Sequence, residues 1–248
     1  MKRAFFSLRL YCLVLAVVTM GFTGLINCTQ AAIINVPADE IDIDSAISAA
    51  NTGDTIVVAN GTWTGSGFKN LSFQGMAITV ESAGGAANCI IDCENDGRGF
   101  QFTGHEDRNS VLRGFTILNA YIEDIGGGIF VQEASPTIVD CVIEGSYAWQ
   151  GGGIAVVETD NALITGCQFI GNNADGDGGA IYVDYSNAPI ITDCVFDQNS
   201  ASSAGALAVY SADCQVINCL FADNDAGSAG AIRFEYNFSS LINCTIVN

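Results

Sequence analysis

The sequence contains little proline, histidine or positive charge. Its 248 residues include three prolines and one histidine, and eight lysines or arginines stand against 27 aspartates or glutamates. Three of the eight basic residues precede residue 32, which leaves five basic against 27 acidic side chains and a net charge of −22. Because so acidic a surface repels phosphate groups, nucleic acid is excluded as an expected partner.

Long apolar runs are also lacking, with one exception near the amino terminus. The apolar stretch from Leu10 to Val18 follows three basic residues, and mostly small or polar residues lead from it to Ala31. This order predicts a signal peptide over residues 1–31, and therefore an exported protein, extracellular or on the outer cell surface, with no membrane span in its mature part. A membrane anchor, or a lipid anchor on Cys28, is the alternative.

The sequence is rich in glycine and cysteine, and both recur at regular intervals. An apolar residue closes each glycine-rich motif, and these residues are 25, 27, 26 and 25 positions apart: Ile129, Ile154, Ile181, Leu207 and Ile232. A second column has steps of 26, 27, 25 and 25: Cys141, Cys167, Cys194, Cys219 and Cys244. Two columns in the same phase predict a repeat of about 25–27 residues.

Each repeat contains short runs with the alternation of β-strands. The first and third residues of triplets such as 129–131 would share one face, and a second run surrounds each cysteine. A bend is predicted by the Asp, Gly or Asn before each cysteine, and a ladder in a turn is predicted by Asn172, Asn199 and Asn224. Helical periodicity is lacking, and a β-propeller needs a longer repeat. We therefore predict an all-β fold, a right-handed parallel β-helix, with its coils over residues 76–248.

An open β-helix exposes its core at each end and requires caps. Residues 32–75 are predicted to form the amino-terminal cap and the first strands. The cap includes a short helix that Asp42 would N-cap and Gly53 would stop. The sequence ends at Asn248 within a repeat, which favours a fragment truncated at the carboxyl end.

The same spacing predicts the state of the cysteines, of which eight follow residue 31. Cysteines stacked in register would hold their Cβ atoms about 4.8 Å apart, beyond the roughly 3.5–4.5 Å of a disulfide. We therefore expect the second column to consist of buried, small apolar side chains. Some disulfide bridges, or a metal site, are the alternatives.

Two segments, residues 33–63 and 109–117, resemble the right-handed β-helix proteins of the pectin-lyase-like superfamily. The Gly-Gly-Ala-Ile motif at 178–181, with Phe-x-x-Asn at 169–172, 196–199 and 221–224, resembles the repeats of chlamydial polymorphic outer-membrane proteins. The resemblance implies the coil architecture but no single activity, because the superfamily includes lyases, hydrolases and adhesins. Polygalacturonase-like motifs are missing, and His105 lies in Gly-His-Glu-Asp where that group has Gly-His-Gly.

Candidate site residues lie on the outward face of the predicted strands. Stacking would bring together aromatic and charged side chains that suit sugar rings and hydroxyl groups: Tyr182, Asp184, Tyr185, Tyr210, Arg233, Glu235 and Tyr236. The ordinary preference of aromatic residues for strands is the alternative explanation. Asp184 and Glu235 are weak candidates for a catalytic carboxylate pair, with an expected separation of about 10 Å. His105 is a third weak catalytic candidate.

The turn at 172–178 combines oxygen ligands with glycine, as calcium loops do, so Asp175 and Asp177 are candidate calcium ligands. An Asp-Gly turn without metal is the alternative, and no cofactor other than calcium is expected.

We expect a non-catalytic exported or cell-surface protein that binds polysaccharides or cell-surface glycans. The alternatives are a secreted polysaccharide lyase or glycoside hydrolase, and a purely structural role in an envelope or matrix.

Overall fold

The computed structural model of the chain describes residues 30–247, and the part from Ala31 onward forms one compact unit. The predicted signal peptide lies outside the described residues except for its last two. Every pair of adjacent strands is parallel, and the chain passes once through each of three long sheets in successive coils. This is the predicted parallel β-helix.

The sheets are numbered in the order in which the chain first enters them. Sheet 1 has nine strands: Ile33–Val36, Thr55–Val58, Thr79–Ser82, Val111–Arg113, Thr137–Val139, Leu163–Thr165, Ile190–Thr192, Gln215–Ile217 and Ser240–Ile242. Sheet 2 has eight: Gly61–Trp63, Cys89–Asp92, Thr116–Leu118, Val142–Glu144, Gln168–Ile170, Val195–Asp197, Leu220–Ala222 and Thr245–Val247. Sheet 3 has seven: Leu71–Ser72, Phe100–Phe102, Ile129–Gln132, Ile154–Val157, Ile181–Asp184, Leu207–Tyr210 and Ile232–Glu235. Sheet 4 has four: Tyr147–Ala148, Asn173–Ala174, Ser200–Ala201 and Asp225–Ala226.

The coil turns sharply where one residue adopts the left-handed conformation. The bend predicted before each cysteine is confirmed, because Asp140, Asp193 and Asn218 have φ values of 54°, 56° and 54°. Asn and Asp tolerate this region better than other residues with a side chain. The apolar run around each cysteine is therefore divided between a strand of sheet 1 and a strand of sheet 2.

The core consists of side chains that repeat from coil to coil. Four cysteines of the predicted column are buried, and Cys244 in the last coil is half-buried. The phenylalanines two positions further on also stack, with ring centroids 4.9 Å apart for Phe169 and Phe196 and 4.5 Å apart for Phe196 and Phe221. All eight cysteines in the described part are free thiols. Burial raises the pKa of Cys214 to about 12, so this thiol stays protonated at neutral pH.

The predicted asparagine ladder is confirmed inside the turn between sheets 2 and 4. Asn172 and Asn199 are fully buried, and Asn224 is nearly so. The side-chain oxygen of Asn199 accepts from the backbone and side-chain nitrogens of Asn172, both at 3.0 Å, and its own Nδ2 donates to the Phe169 carbonyl at 2.9 Å. The ladder therefore supplies hydrogen-bond partners that a buried turn would otherwise lack.

A seven-residue helix, Ile43–Ala49, covers part of the first coils. Asp42 caps it as predicted, since its carboxylate accepts from the Ser45 amide at 2.8 Å. The predicted stop at Gly53 is wrong, because the backbone is already extended at Ala50. Gly53 instead takes a positive φ of 97° in the turn before the next strand. Two short 3₁₀ turns complete the elements, Ser66–Phe68 and Ala86–Asn88. Within residues 30–247, no helix is long and apolar enough to cross a membrane.

Candidate functional site

Three neighbouring strands of sheet 3 carry most of the predicted site residues. The parallel register places Tyr182 beside Ala208 and Ala208 beside Arg233. Two positions further on, it places Asp184 beside Tyr210 and Tyr210 beside Glu235. These side chains face away from the main core, because the inward positions of the same strands are Ile181, Val183, Leu207, Val209, Ile232 and Phe234.

The outward face of sheet 3 is not the open surface expected from the sequence. Tyr182 is only 7% exposed and packs in a second apolar cluster with Ala155, Ala204 and Ala208. The glycine-containing loops that lead into the strands fold back over this face. At Gly178, where φ is 67°, a Cβ would overlap the Ile181 carbonyl, so a side chain would prevent this close approach.

A cleft of about 320 Å³ remains between these loops and the ends of the strands. We call it the tyrosine cleft, and its lining residues are Gln150, Asp177, Tyr182, Asp184, Tyr185, Tyr210, Ser211 and Tyr236. Two of its tyrosines are open to solvent, since Tyr185 is 68% and Tyr236 is 88% exposed. The structure therefore brings together five of the predicted binding residues: Tyr182, Asp184, Tyr185, Tyr210 and Tyr236.

Two phenol groups in the cleft donate to carboxylates. The Tyr182 hydroxyl donates to Asp184 at 2.9 Å, and the Tyr210 hydroxyl donates to Asp177 at 2.9 Å. Burial, followed by the bond to Asp177, raises the pKa of Tyr210 to about 12. Burial and the bond to Asp184 likewise raise the pKa of Tyr182 above its ordinary value. Both phenols therefore stay protonated at neutral pH and do not act as bases.

Arg233 and Glu235 adjoin the tyrosine cleft but do not line it. The Arg233 Nε donates to Glu235 at 2.9 Å, and this bond raises the pKa of Arg233. The guanidinium lies 5.5 Å from the centre of the Tyr210 ring, and its Nη1 lies 3.7 Å from an Asp177 oxygen. Arg233 thus holds Tyr210 and Asp177 in place from the side of the next coil.

The three weak catalytic candidates are not brought into one site. Asp184 and Glu235 lie two strands apart in sheet 3, roughly 10 Å, and each already has a partner. His105 is exposed, and its Nδ1 lies 3.1 Å from the Glu133 carbonyl oxygen. His105 follows the sheet 3 strand Phe100–Phe102. That strand lies three strands before the one that carries Tyr182, so His105 is far from the cleft.

The two candidate calcium ligands bind different tyrosines. Asp175 accepts from the Tyr147 hydroxyl at 2.7 Å, whereas Asp177 accepts from Tyr210. The described part of the chain contains no group of three or more His, Cys, Asp or Glu side chains placed to hold a metal ion. Calcium binding by this turn stays a prediction.

Sequence reasoning missed three features of the cleft. The sequence predicts Asp177 only as a metal ligand, and it predicts neither Gln150 nor Ser211 as a site residue. A signal existed for Ser211, because it follows its strand in the same left-handed position as Tyr185 and Tyr236, with φ values of 46°, 46° and 52°. Gln150 enters from a loop of an earlier coil, and no sequence pattern indicates that contact.

Parallel coils with one core, capping helix and outward cleft define the class of right-handed parallel β-helix proteins. The family model described as right handed beta helix region matches residues 47–200 and 106–248, and the chain belongs to this family. Comparison with curated proteins finds no match. The narrower resemblances, to pectin-lyase-like and chlamydial proteins, stay predictions.

Proposed function

We propose that the tyrosine cleft binds an uncharged glycan and that the protein is a non-catalytic binding protein, exported or on the cell surface. The observation that carries the proposal is the convergence of four tyrosines and two carboxylates around one cleft. Small-molecule sites commonly combine aromatic walls with a few fixed polar groups.

The chemistry of the lining residues suits sugar rings. The exposed rings of Tyr185 and Tyr236 offer apolar faces with polar edges. Asp177 and Asp184 each accept one phenol hydrogen bond, and an ionised carboxylate has further lone pairs to accept from sugar hydroxyl groups. The bound phenols fix the orientation of both carboxylates before a ligand arrives, which lowers the entropy cost of binding.

The charges favour an uncharged glycan over an acidic one. Both carboxylates line the cleft, and the nearest cation, Arg233, is already bound to Glu235. An anionic sugar would meet repulsion from Asp177 and Asp184, on a protein that is strongly acidic overall.

The partners of the acidic residues also support binding rather than cleavage. Glycoside cleavage by two carboxylates requires an acid and a base or nucleophile about 5–9.5 Å apart across the scissile bond. The separation of Asp184 and Glu235 is marginal for this, and Glu235 already accepts a hydrogen bond from Arg233. Polysaccharide lyase or hydrolase activity is therefore the alternative outcome of the test below.

The test incubates the purified protein with uncharged and acidic polysaccharides, with calcium or a chelator, and follows both retention and new chain ends. We expect retention on uncharged polymers without new ends. Replacing Tyr185 and Tyr236 by asparagine removes the rings but keeps the left-handed backbone, and affinity should fall on the order of tenfold. Glu158→Asn is the matched control, because Glu158 occupies the same left-handed position in an earlier coil outside the cleft.

Unchanged retention in the tyrosine variants would contradict the proposed site. New chain ends that disappear in Asp184→Asn would make the protein an enzyme. Loss of retention with the chelator would support the calcium prediction for Asp175 and Asp177.

Export is a separate proposal that is supported by the pattern of residues 1–31. Amino-terminal sequencing of the protein from its native host should find a mature chain that begins near Ala32. A chain that retains residues 1–31 in the host cytoplasm would contradict export.

A further inference from the structure

A second cleft, nearer the amino terminus, is lined by residues that precede strands of sheet 3 in earlier coils. Its volume is about 600 Å³, and it is lined by Asn70, Asn95, Asp96, Gly97, Tyr121, Ile122 and Glu123. Tyr121 is 40% exposed and stacks on Tyr147 of the next coil, with centroids 4.8 Å apart and planes 11° from parallel. The second cleft thus shares three kinds of group with the tyrosine cleft: an exposed aromatic ring, two carboxylates and at least one side-chain amide.

A row of residues links the two clefts through side-chain contacts, except for the backbone step from Asp175 to Asp177. Tyr147, stacked on Tyr121, donates its hydroxyl to Asp175 at 2.7 Å. Asp177, two residues after Asp175, lines the tyrosine cleft and accepts from Tyr210. No coil along this row lacks an aromatic or acidic residue.

Trp149 is 54% exposed, and its amide donates to the carbonyl of Asp124, the residue after Glu123 of the second cleft. Its indole borders Gly176, the residue between Asp175 and Asp177, because a Cβ on Gly176 would lie 3.7 Å from the Trp149 Cε2. The next residue, Gln150, lines the tyrosine cleft. A large ring is therefore exposed where a ligand would cross from one cleft to the other.

The spacing of the coils gives the length of ligand that could reach both clefts. Lining residues of the second cleft end at Glu123, and those of the tyrosine cleft begin at Gln150 and continue to Tyr236. The centres of the clefts are therefore about three coils apart, roughly 15 Å at 4.8 Å per coil. That distance is longer than one or two sugar rings.

We propose that the second cleft is a further glycan subsite and that one extended, uncharged polysaccharide occupies both clefts, with Trp149 as a stacking surface between them. This inference rests on the proposed function of the tyrosine cleft. The second cleft favours the same uncharged class of ligand, because Asp96 and Glu123 line it and the adjacent cation Lys69 is bound to Glu94 and Asp96 at 3.2 and 2.9 Å.

The experiment measures affinity by calorimetry for oligosaccharides of increasing length, from the disaccharide to the octasaccharide. The series is cut from the uncharged polymer that is retained best, with cello-, malto- and manno-oligosaccharides as the first probes. Affinity should rise on the order of ten- to a hundredfold once the chain is long enough to reach the second cleft, because the second contact becomes intramolecular.

Tyr121→Ala and Trp149→Ala should remove this rise and leave affinity for the shortest oligosaccharides unchanged. Phe238→Ala is the matched control, since Phe238 is an exposed aromatic residue that lines neither cleft. The thermal unfolding midpoint of each variant verifies that the coils are intact.

Each outcome decides between the two proposals. If short oligosaccharides bind but affinity does not depend on length, the second subsite is wrong and the tyrosine cleft stands. If affinity still rises with oligosaccharide length in both Tyr121→Ala and Trp149→Ala, the proposal that one chain occupies both clefts is wrong. If no oligosaccharide or polymer binds, the proposed function fails and the subsite fails with it.

Discussion

The inside and the outside of the same coils follow opposite rules. Inside, one residue type recurs from coil to coil, as in the cysteine column and in the phenylalanines 169, 196 and 221. Outside, the second position of the last five sheet 3 strands changes from each coil to the next: Phe130, Ala155, Tyr182, Ala208 and Arg233. Stacked interior positions share one environment, so one side chain fits them all, whereas each outward position meets a different loop.

The left-handed residues after the sheet 3 strands show both rules at a single position. Their φ values lie between 46° and 55°, so the backbone repeats, but the side chains change after the first two coils: Glu133, Glu158, Tyr185, Ser211 and Tyr236. Where the backbone conformation repeats but the side chain changes, the fold does not require a particular side chain. Such residues can therefore contact a ligand. The tyrosine cleft lies where the side chains at this position depart from glutamate, at Tyr185, Ser211 and Tyr236.

The largest expected effect comes from interrupting a stack of identical side chains in the core. Phe196 is fully buried between two parallel rings, so Phe196→Ala creates a cavity in the stack and should lower the free energy of unfolding by about 3–5 kcal/mol. Urea unfolding followed by circular dichroism measures the loss. A loss under about 1 kcal/mol would mean that this stack contributes little to the fold.

The next prediction compares a buried asparagine of the ladder, Asn199, with an exposed asparagine, Asn173. Asn199→Ala leaves the Phe169 carbonyl and the Asn172 amide without their partners and should cost about 2–3 kcal/mol. Asn173→Ala, which removes an exposed hydrogen bond to Ser200, should cost less than about 0.5 kcal/mol. The same unfolding experiment measures both variants. Equal losses of unfolding free energy would mean that the buried ladder contributes no more than a surface hydrogen bond.

A smaller effect on stability is expected at an outward residue that does not pack in the core. Tyr185 is exposed and Asn tolerates its left-handed backbone, so Tyr185→Asn should change the free energy of unfolding by no more than about 0.5 kcal/mol. The same variant should lose glycan affinity. A stability loss as large as that of Phe196→Ala would show that the ring serves packing instead of ligand binding.

The last effect is confined to alkaline pH and concerns Tyr210. Its pKa is raised to about 12 in the folded protein, against about 10 in an unfolded chain. The folded state therefore holds this proton more tightly, so the stabilisation is complete below about pH 10 and is lost as pH rises to about 12. Tyr210→Phe should flatten this decline in unfolding free energy, and an absorbance titration should lose one late-ionising phenol.

An identical decline in Tyr210→Phe would contradict the assignment to Tyr210. Tyr185→Phe, measured in parallel, accounts for the general effect of removing one phenol from the cleft.

Much of the architecture was predictable because it depends on local patterns. Asp140, Asp193 and Asn218 indicated the bends, since few other residues take the left-handed conformation readily. The burial of Tyr182 was not predictable, because alternation assigns a residue to the outward face but does not reveal the loop that covers it. The early end of the helix at Ala49 was missed for a related reason: Gly53 suggested a helix stop but serves the following turn.

The sequence by itself determined the period of the coils, the residues that face inward and the class of fold. These follow from strand alternation and from a stacking distance that is the same in every coil. Only the tertiary structure decided where the clefts lie, because they depend on contacts between residues far apart in the chain, such as Tyr210 with Asp177 of an earlier coil. Loop paths over an outer face are set by packing across coils, and no local pattern encodes them.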